Sequence, residues 1–327
     1  MGSIPEQQSV TINNFEIYNS TLEILKKTLL ITIAILLFKF SAYGQEIISV
    51  KPSYYFTYGD YSNGNITRTH SVYSTINIDN GIFPTVGYEN QNIFNNQLIQ
   101  GGTKTSYPWK YNQQSFLGGV FYSAFPDYSK FYYTHIMGDF KLNQNDYLNS
   151  ISFDYSKAKY SDYTNIYTFD YSRYYDGWSF GGVVTYLNAI GHIKIIDTVV
   201  TLNHQQTMQG TARIEYAFSP DIFLSVKPSY FYSMIDKRKL WSAAIKFHYL
   251  AAESLLLKAG GIVGKRAYYF DSDLLTVFNQ DDTQKQCAFV STEVFPGDGF
   301  TLTAAFLYSE FTDYHINYYV AGVRRFF

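Results

Sequence analysis

From Gln45 onward, hydrophobic and polar positions alternate with a period of two. In the stretch "IFLSVKPSYFYSM", Ile222, Leu224, Val226, Pro228, Tyr230, Tyr232 and Met234 fall on one side of an extended chain. Ser225, Lys227, Ser229 and Ser233 fall on the other. The following segment sets Trp241, Ala243, Ile245, Phe247 and Tyr249 against Ser242, Ala244, Lys246 and His248, and the preceding one sets Ala212, Ile214, Tyr216 and Phe218 against Thr211, Arg213 and Glu215. Ile151, Phe153 and Tyr155 against Ser152, Asp154 and Ser156, and Leu302, Ala304, Phe306 and Tyr308 against Thr301, Thr303 and Ser309, repeat the pattern. Each predicted strand has one apolar and one wet face. The strands run about 11 to 13 residues, roughly twice the ~5–6 usual in soluble proteins and close to the ~9–11 of a tilted strand crossing a bilayer. Helical periodicity is nearly absent.

Turn signals punctuate the strands: Asp79-Asn80-Gly81, Pro126-Asp127, Asp176-Gly177, Ser219-Pro220-Asp221 and Pro296-Gly297-Asp298-Gly299. Strands placed between them number about sixteen, and fourteen fits almost as well, because Ile193, Ile195 and Ile196 break the alternation between residues 157 and 205. With this placement the compact turns fall at one end, and the longer connections, Gly59 to Thr67, Asn95 to Asn112 and Ala267 to Gln284, fall at the other. Short turns on one side and long loops on the other predict an all-β, transmembrane, antiparallel up-and-down barrel.

The region before Gln45 has a different pattern. Lys26 and Lys27 precede an apolar stretch from Leu29 to Phe38, and the small-residue site Ala42-Tyr43-Gly44 follows. This is the order of a secretory signal peptide, cleaved near Gly44. The apolar run is about half the ~20 residues that a spanning helix needs, and Lys39 ends it. The expected organisation is an upstream extension or start-site artefact over 1–23, a signal peptide over 24–44 and a barrel over 45–327.

Composition narrows the class. The chain has 327 residues, 33 Tyr and 27 Phe, yet only 16% charged residues and a formal net charge of -2. Its mean hydropathy is -0.16, too low for a set of helical spans, while the aromatic content is too high for a disordered chain. The near-neutral charge gives no basic surface for nucleic acid. Cys287 is the sole cysteine, so neither an intrachain disulfide nor a paired-cysteine metal site can form.

The last residues, "YYVAGVRRFF", place Tyr319, Ala321, Val323 and Phe327 at alternate positions ending on an aromatic residue. This tail resembles the C-terminal signal of bacterial outer-membrane barrels, and Gly322-Val323-Arg324 is similar to endings common in barrels of the Bacteroidetes type. Arg325 departs from the pattern, which calls for an apolar or aromatic residue there. A narrower resemblance is to the YaiO family of outer-membrane barrels. The resemblance implies insertion by the barrel-assembly machinery and a location in the outer membrane of a Gram-negative bacterium, among its lipids and lipopolysaccharide.

Candidate chemistry is sparse. Ser62-Asn63-Gly64 is similar to a stretch of outer-membrane phospholipases, but the position that holds their general base is Asp60 here, and a serine without a base is a weak nucleophile. The six histidines have no metal-ligand spacing, and the acidic loop with Asp271, Asp273, Asp281 and Asp282 lacks the spacing of a calcium loop. No catalytic residue, metal or cofactor is expected. Lys51, Arg213, Glu215, Lys227 and Lys246 fall on the wet faces, where they line the lumen; a basic lining favours anions, whereas charges paired across the interior help to fill it. The leading expectation is a passive pore or small-solute channel, with the loop from 95 to 112 as cap or constriction. The alternatives are a filled structural or surface-binding barrel and, less favoured, a lipid-modifying membrane enzyme.

Overall fold

The computed structural model describes residues 47–78, 81–95, 109–142, 158–195, 198–267, 269–271, 276–278 and 282–327. The proposed extension and signal peptide lie outside the described residues, as do Asp154 and most of the loop from 95 to 112. The strands are β1 (Ile47–Tyr61), β2 (Asn65–Ile78), β3 (Ile82–Asn95), β4 (Trp109–Ala124), β5 (Asp127–Leu142), β6 (Ala158–Tyr175), β7 (Trp178–Ile195) and β8 (Thr198–Ser219). There follow β9 (Ile222–Ser233), β10 (Lys239–Ala252), β11 (Leu255–Arg266), β12 (Tyr269–Asp271), β13 (Thr276–Phe278), β14 (Gln284–Gly297), β15 (Phe300–Phe311) and β16 (His315–Arg325). β12 and β13 pair only with each other; the other strands close a barrel of fourteen. β11 pairs with β14, and β16 returns to β1 from Ser53 opposite Arg324 to Tyr61 opposite Ile316.

Fourteen, not sixteen, strands close the ring for two reasons. The strand expected near 147 falls outside the described residues, and β5 pairs directly with β6. The break expected near 191 is absent from β7, which pairs in unshifted register with β6 as far as Ile195; the irregularity there is one extra residue, Leu202, on β8, between Asn203 opposite Gly191 and Thr201 opposite His192.

All connections between β2 and β3, β4 and β5, β6 and β7, β8 and β9, β10 and β11, and β14 and β15 lie at one end, together with both ends of the barrel sheet. Those whose residues are all described are tight turns. Asp176 and Gly177 take φ of 44° and 81°, and Asp298 and Gly299 take 49° and 72°. Two successive left-handed residues match the twist of the flanking strands, and Asp-Gly meets that need at little steric cost. The strand lengths differ around the ring. β8 has 22 residues and β15 has 12, so at ~3.3 Å per residue the wall is about 70 Å along the chain on one side and about 40 Å on the other.

The outer face is apolar. On β10, Trp241, Ile245, Phe247 and Tyr249 are exposed, and on β6 so are Tyr167, Phe169, Tyr171 and Tyr175. From Trp241 to Tyr249 the band rises about 21 Å for a strand tilted ~40°, near the ~25 Å of an outer-membrane barrel. Near the tight turns Trp178 packs on Tyr216 with ring centroids 4.4 Å apart, and Tyr216 meets Phe218 at 4.8 Å, a patch of aromatic girdle. On the taller side a polar row ends the band. Asn112 Nδ2 donates to Asn90 Oδ1 at 2.8 Å, His135 pairs with Asn165 at 2.8 Å, and His204 with Asn188 at 3.0 Å. β6, β7 and β8 continue beyond this row, so they rise clear of the apolar band.

Pro52 and Pro228, each preceded by lysine, lie on the outer face. The β8–β9 register runs unshifted from Thr211 opposite Ser229 to Ile214 opposite Val226, skipping the residues opposite Lys227 and Pro228. At Pro228 the missing donor therefore opens a gap in the ladder without a bulge.

Candidate functional site

The inner face is a wall of hydroxyls. Thr67, Thr69, Ser71, Thr85, Ser115, Thr164, Thr168, Thr185, Thr207, Ser225, Ser242, Thr301 and Ser309 are all buried there. Some pair across strands, as Thr168 does with Thr185 at 3.0 Å. The hydroxyls of Thr67, Thr134, Thr164, Thr207 and Thr301 have no protein partner, and buried polar groups of this kind are ordinarily satisfied by water. Fourteen strands ~4.8 Å apart and tilted ~40° make a ring about 28 Å across, wider than a single layer of such short side chains fills.

Charges gather in the half of the inner face nearest the tight turns. Lys130 on β5 stands directly opposite Asp170 on β6, their charged atoms 4.0 Å apart. Arg213 on β8 reaches over β7 and donates from Nη2 to Asp170 Oδ2 at 2.6 Å. It can do so because its β7 partner is Gly181, which has no side chain in the way. Arg213 Nη1 lies 3.5 Å from Glu215 Oε1, and Lys227 Nζ on β9 lies 3.8 Å from the same oxygen, to which Ser225 also donates. Asp170, Arg213 and Lys227 are 2%, 7% and 7% exposed, and Lys246 on β10 is 5% exposed. A second group joins Lys258 on β11 and Arg324 on β16 through Glu293 on β14.

The sequence-predicted charges therefore separate into parts. Arg213, Glu215 and Lys227 form one chain of ion pairs. Lys246 lies on the adjacent strand, two residues diagonal to Lys227, which leans toward Glu215 on the opposite side. Lys51 is elsewhere on the ring, its ammonium 5.0 Å from the centroid of Phe326. Sequence reasoning missed Lys130, Asp170, Lys258, Glu293 and Arg324, although each occupies a wet position in a strand of alternating residues.

The terminal strand closes the ring. Tyr319, Ala321, Val323, Arg325 and Phe327 are exposed on the outer face. Phe327 exchanges backbone hydrogen bonds with Val50 at 3.0 and 3.2 Å, so the last residue belongs to the ladder. Arg325, the departure from the tail pattern, has its guanidinium 4.8 Å from the Phe300 ring and 4.4 Å from the Phe327 ring, at the rim where a cation reaches water.

At the opposite end, Ser62-Asn63-Gly64 is a tight turn between β1 and β2. Ser62 Oγ accepts the His315 N–H at 3.0 Å and the Gly64 N–H bonds to the Tyr61 carbonyl at 2.9 Å. The serine ties two turns across the closing seam. The β12–β13 hairpin belongs to the same mouth: Arg266 stacks 3.7 Å over the Tyr269 ring, and Ala267 packs in a cluster with Leu117, Tyr132, Ile136, Ile166 and Leu187 from the inner faces of β4 to β7. Ala267 thus turns inward over the interior. Among the described residues no group of histidine, cysteine and carboxylate side chains is arranged to hold a metal.

A closed antiparallel ring with an apolar, aromatic-rimmed outside and a hydroxyl-lined inside is a transmembrane β-barrel of the outer-membrane type. Solved structures share it. A TodX monoaromatic hydrocarbon channel superposes with a TM-score of 0.54 at 11% identity, covering 85% of this chain and 90% of that one. The CymD monoaromatic hydrocarbon channel gives 0.53 at 8% identity over 86% and 88%. The Ralstonia pickettii toluene transporter TbuX gives 0.53 at 7% over 85% and 88%. At such identities the likeness is one of fold. No protein-family profile and no curated protein matches the chain, so the YaiO resemblance has no support.

Proposed function

We propose that the protein is a passive outer-membrane channel for small solutes, with a preference for anions. The observation that carries this reading is the sign of the inner charges: among the described residues, Lys51, Lys130, Arg213, Lys227, Lys246, Lys258 and Arg324 outnumber Glu89, Asp170, Glu215 and Glu293 in the half of the barrel that holds the tight turns. A cationic excess in a narrow, partly desolvated passage lowers the barrier to anions and raises it to cations. The unpartnered threonine hydroxyls support water in the interior. The similar folds, hydrocarbon channels and a toluene transporter, agree with a conduit. In this reading the chain is exported by a signal peptide cleaved near Gly44. The barrel-assembly machinery recognises Tyr319, Ala321, Val323 and Phe327, and lipid and lipopolysaccharide surround the wall.

A second reading has its own observation. The Lys130–Asp170–Arg213–Glu215–Lys227 chain is almost wholly buried, as expected of charges that fill an interior rather than line a stream. That protein would be a structural or surface-binding barrel acting through its loops. Single-channel recording of residues 45–327 refolded into a planar bilayer separates the two. Steady conductance steps, with a reversal potential showing anion preference that Lys227→Glu weakens, support the channel. A folded, heat-modifiable barrel that passes no current refutes it.

A further inference from the structure

Glu89, on the inner wall, is set among hydroxyls and not beside a lysine or arginine. Asp170, Glu215 and Glu293 each sit within 4.0 Å of a lysine or arginine. Glu89 on β3 faces only hydroxyls: Ser71 and Tyr73, both on β2, donate to its Oε2 at 2.9 and 3.5 Å. Tyr73 reaches it because its ring lies flat across Gly87, where a Cβ would overlap it. Ser115 on β4 stands directly opposite Glu89, which completes a cross-strand row Ser71, Glu89, Ser115.

Beside this row is a cavity of about 10 Å³ lined by Tyr73, Gly87, Glu89, Ser115, Leu117 and Thr134. Thr134, 2% exposed, lines it with a hydroxyl that has no hydrogen-bond partner. Glu89 is partly buried; a carboxylate withdrawn from water without a counter-ion is costly, and so is a buried hydroxyl without a partner. One occupant relieves both.

We propose that Glu89, with Ser71, Tyr73, Ser115 and Thr134, forms a site for a single monovalent cation of sodium or potassium size in the barrel wall. The donor set is all oxygen, which suits a hard ion. One carboxylate among neutral hydroxyls balances a single positive charge; calcium takes 6–8 oxygens and generally several carboxylates. The cavity is about that of one water, too small for an organic ammonium. The site stands apart from the conduction reading: a barrel that passes no current can still hold the ion.

The test uses the refolded mature barrel. In sodium chloride it unfolds at a temperature several degrees higher than in choline chloride of equal ionic strength, since choline does not enter the cavity, and Glu89→Gln abolishes the difference. Crystals soaked in thallium acetate show an anomalous peak between Glu89 and Thr134, which Thr134→Val weakens. Equal unfolding temperatures in the two salts, a sodium effect that persists in Glu89→Gln, or a wild-type crystal without thallium at that place overturns the proposal. The wild-type measurements decide it even if the glutamine variant does not fold, and a neutral Glu89 beside a water is the state they would then reveal.

Discussion

Replacing Asp170 with asparagine tests whether the ion-pair chain holds β6 and β8 together across Gly181. The change keeps the shape of the side chain and removes its charge, leaving Arg213, 7% exposed, with Glu215 3.5 Å away as an anionic neighbour. Two unit charges ~4 Å apart at an effective dielectric of ~20 interact by about 4 kcal/mol. Breaking a buried pair by removing one partner costs ~3–5 kcal/mol when nothing replaces it. Glu215 retains part of the attraction, and Lys130, a quarter exposed at 4.0 Å from Asp170, adds little. The expected loss is about 2–3 kcal/mol. Urea unfolding of the refolded barrel reads it as a shift in midpoint at constant slope. Arg213→Gln completes a double-mutant cycle in which the double variant is scarcely less stable than Asp170→Asn alone. If the two single losses simply add, to within ~0.5 kcal/mol, the residues are not coupled and the chain of ion pairs does not brace the wall.

Three further outcomes follow from the same geometry. A Cβ at Gly181 would overlap the Tyr171 carbonyl oxygen and lie 2.7 Å from Ser172 Cβ, so Gly181→Val should destabilise the barrel by ~1–3 kcal/mol; an unchanged unfolding temperature would contradict the close approach. Ser62→Ala removes the acceptor of the His315 N–H and should cost roughly 0.5–1.5 kcal/mol in the heat-modifiability assay, while phospholipid hydrolysis stays at background; a hydrolytic activity lost with Ser62 would restore the enzyme reading. Tyr314, in the turn after β15, donates to Asp282 Oδ2 at 2.9 Å, and burial, then the Asp282 charge, pushes its ionisation above the usual range. Its folded form keeps the proton that the unfolded chain releases near pH ~10, so its contribution is complete below that pH and lost as pH rises above it; urea midpoints across that range should fall less steeply in Tyr314→Phe.

Much of the fold is visible in the alternation itself. Trp241 to Tyr249 on the outside and Ser242 to His248 on the inside sort correctly from the sequence because a strand has a period of two and one face must meet hydrocarbon. The turn pairs Asp176-Gly177 and Asp298-Gly299 are legible for the same local reason. The number of strands is not, since Ile193, Ile195 and Ile196 interrupt the alternation in the sequence although β7 pairs in unshifted register with β6 as far as Ile195. The six histidines likewise carry no pattern of their own: His135 and His204 prove to be wall residues held by Asn165 and Asn188.

The sequence alone determined the class of this protein, long two-faced strands closing on an aromatic terminus, because burial of one face against lipid is a local demand repeated at every second residue. Only the tertiary structure decided which charges meet. Asp170 and Arg213 are 43 positions apart and touch across a glycine. Glu89 is left without a cation, though lysines and arginines are plentiful on the same inner face. Pairing across a barrel depends on strand order, register and the absence of a side chain at one intervening position, and none of these is written into the neighbourhood of the residues that meet.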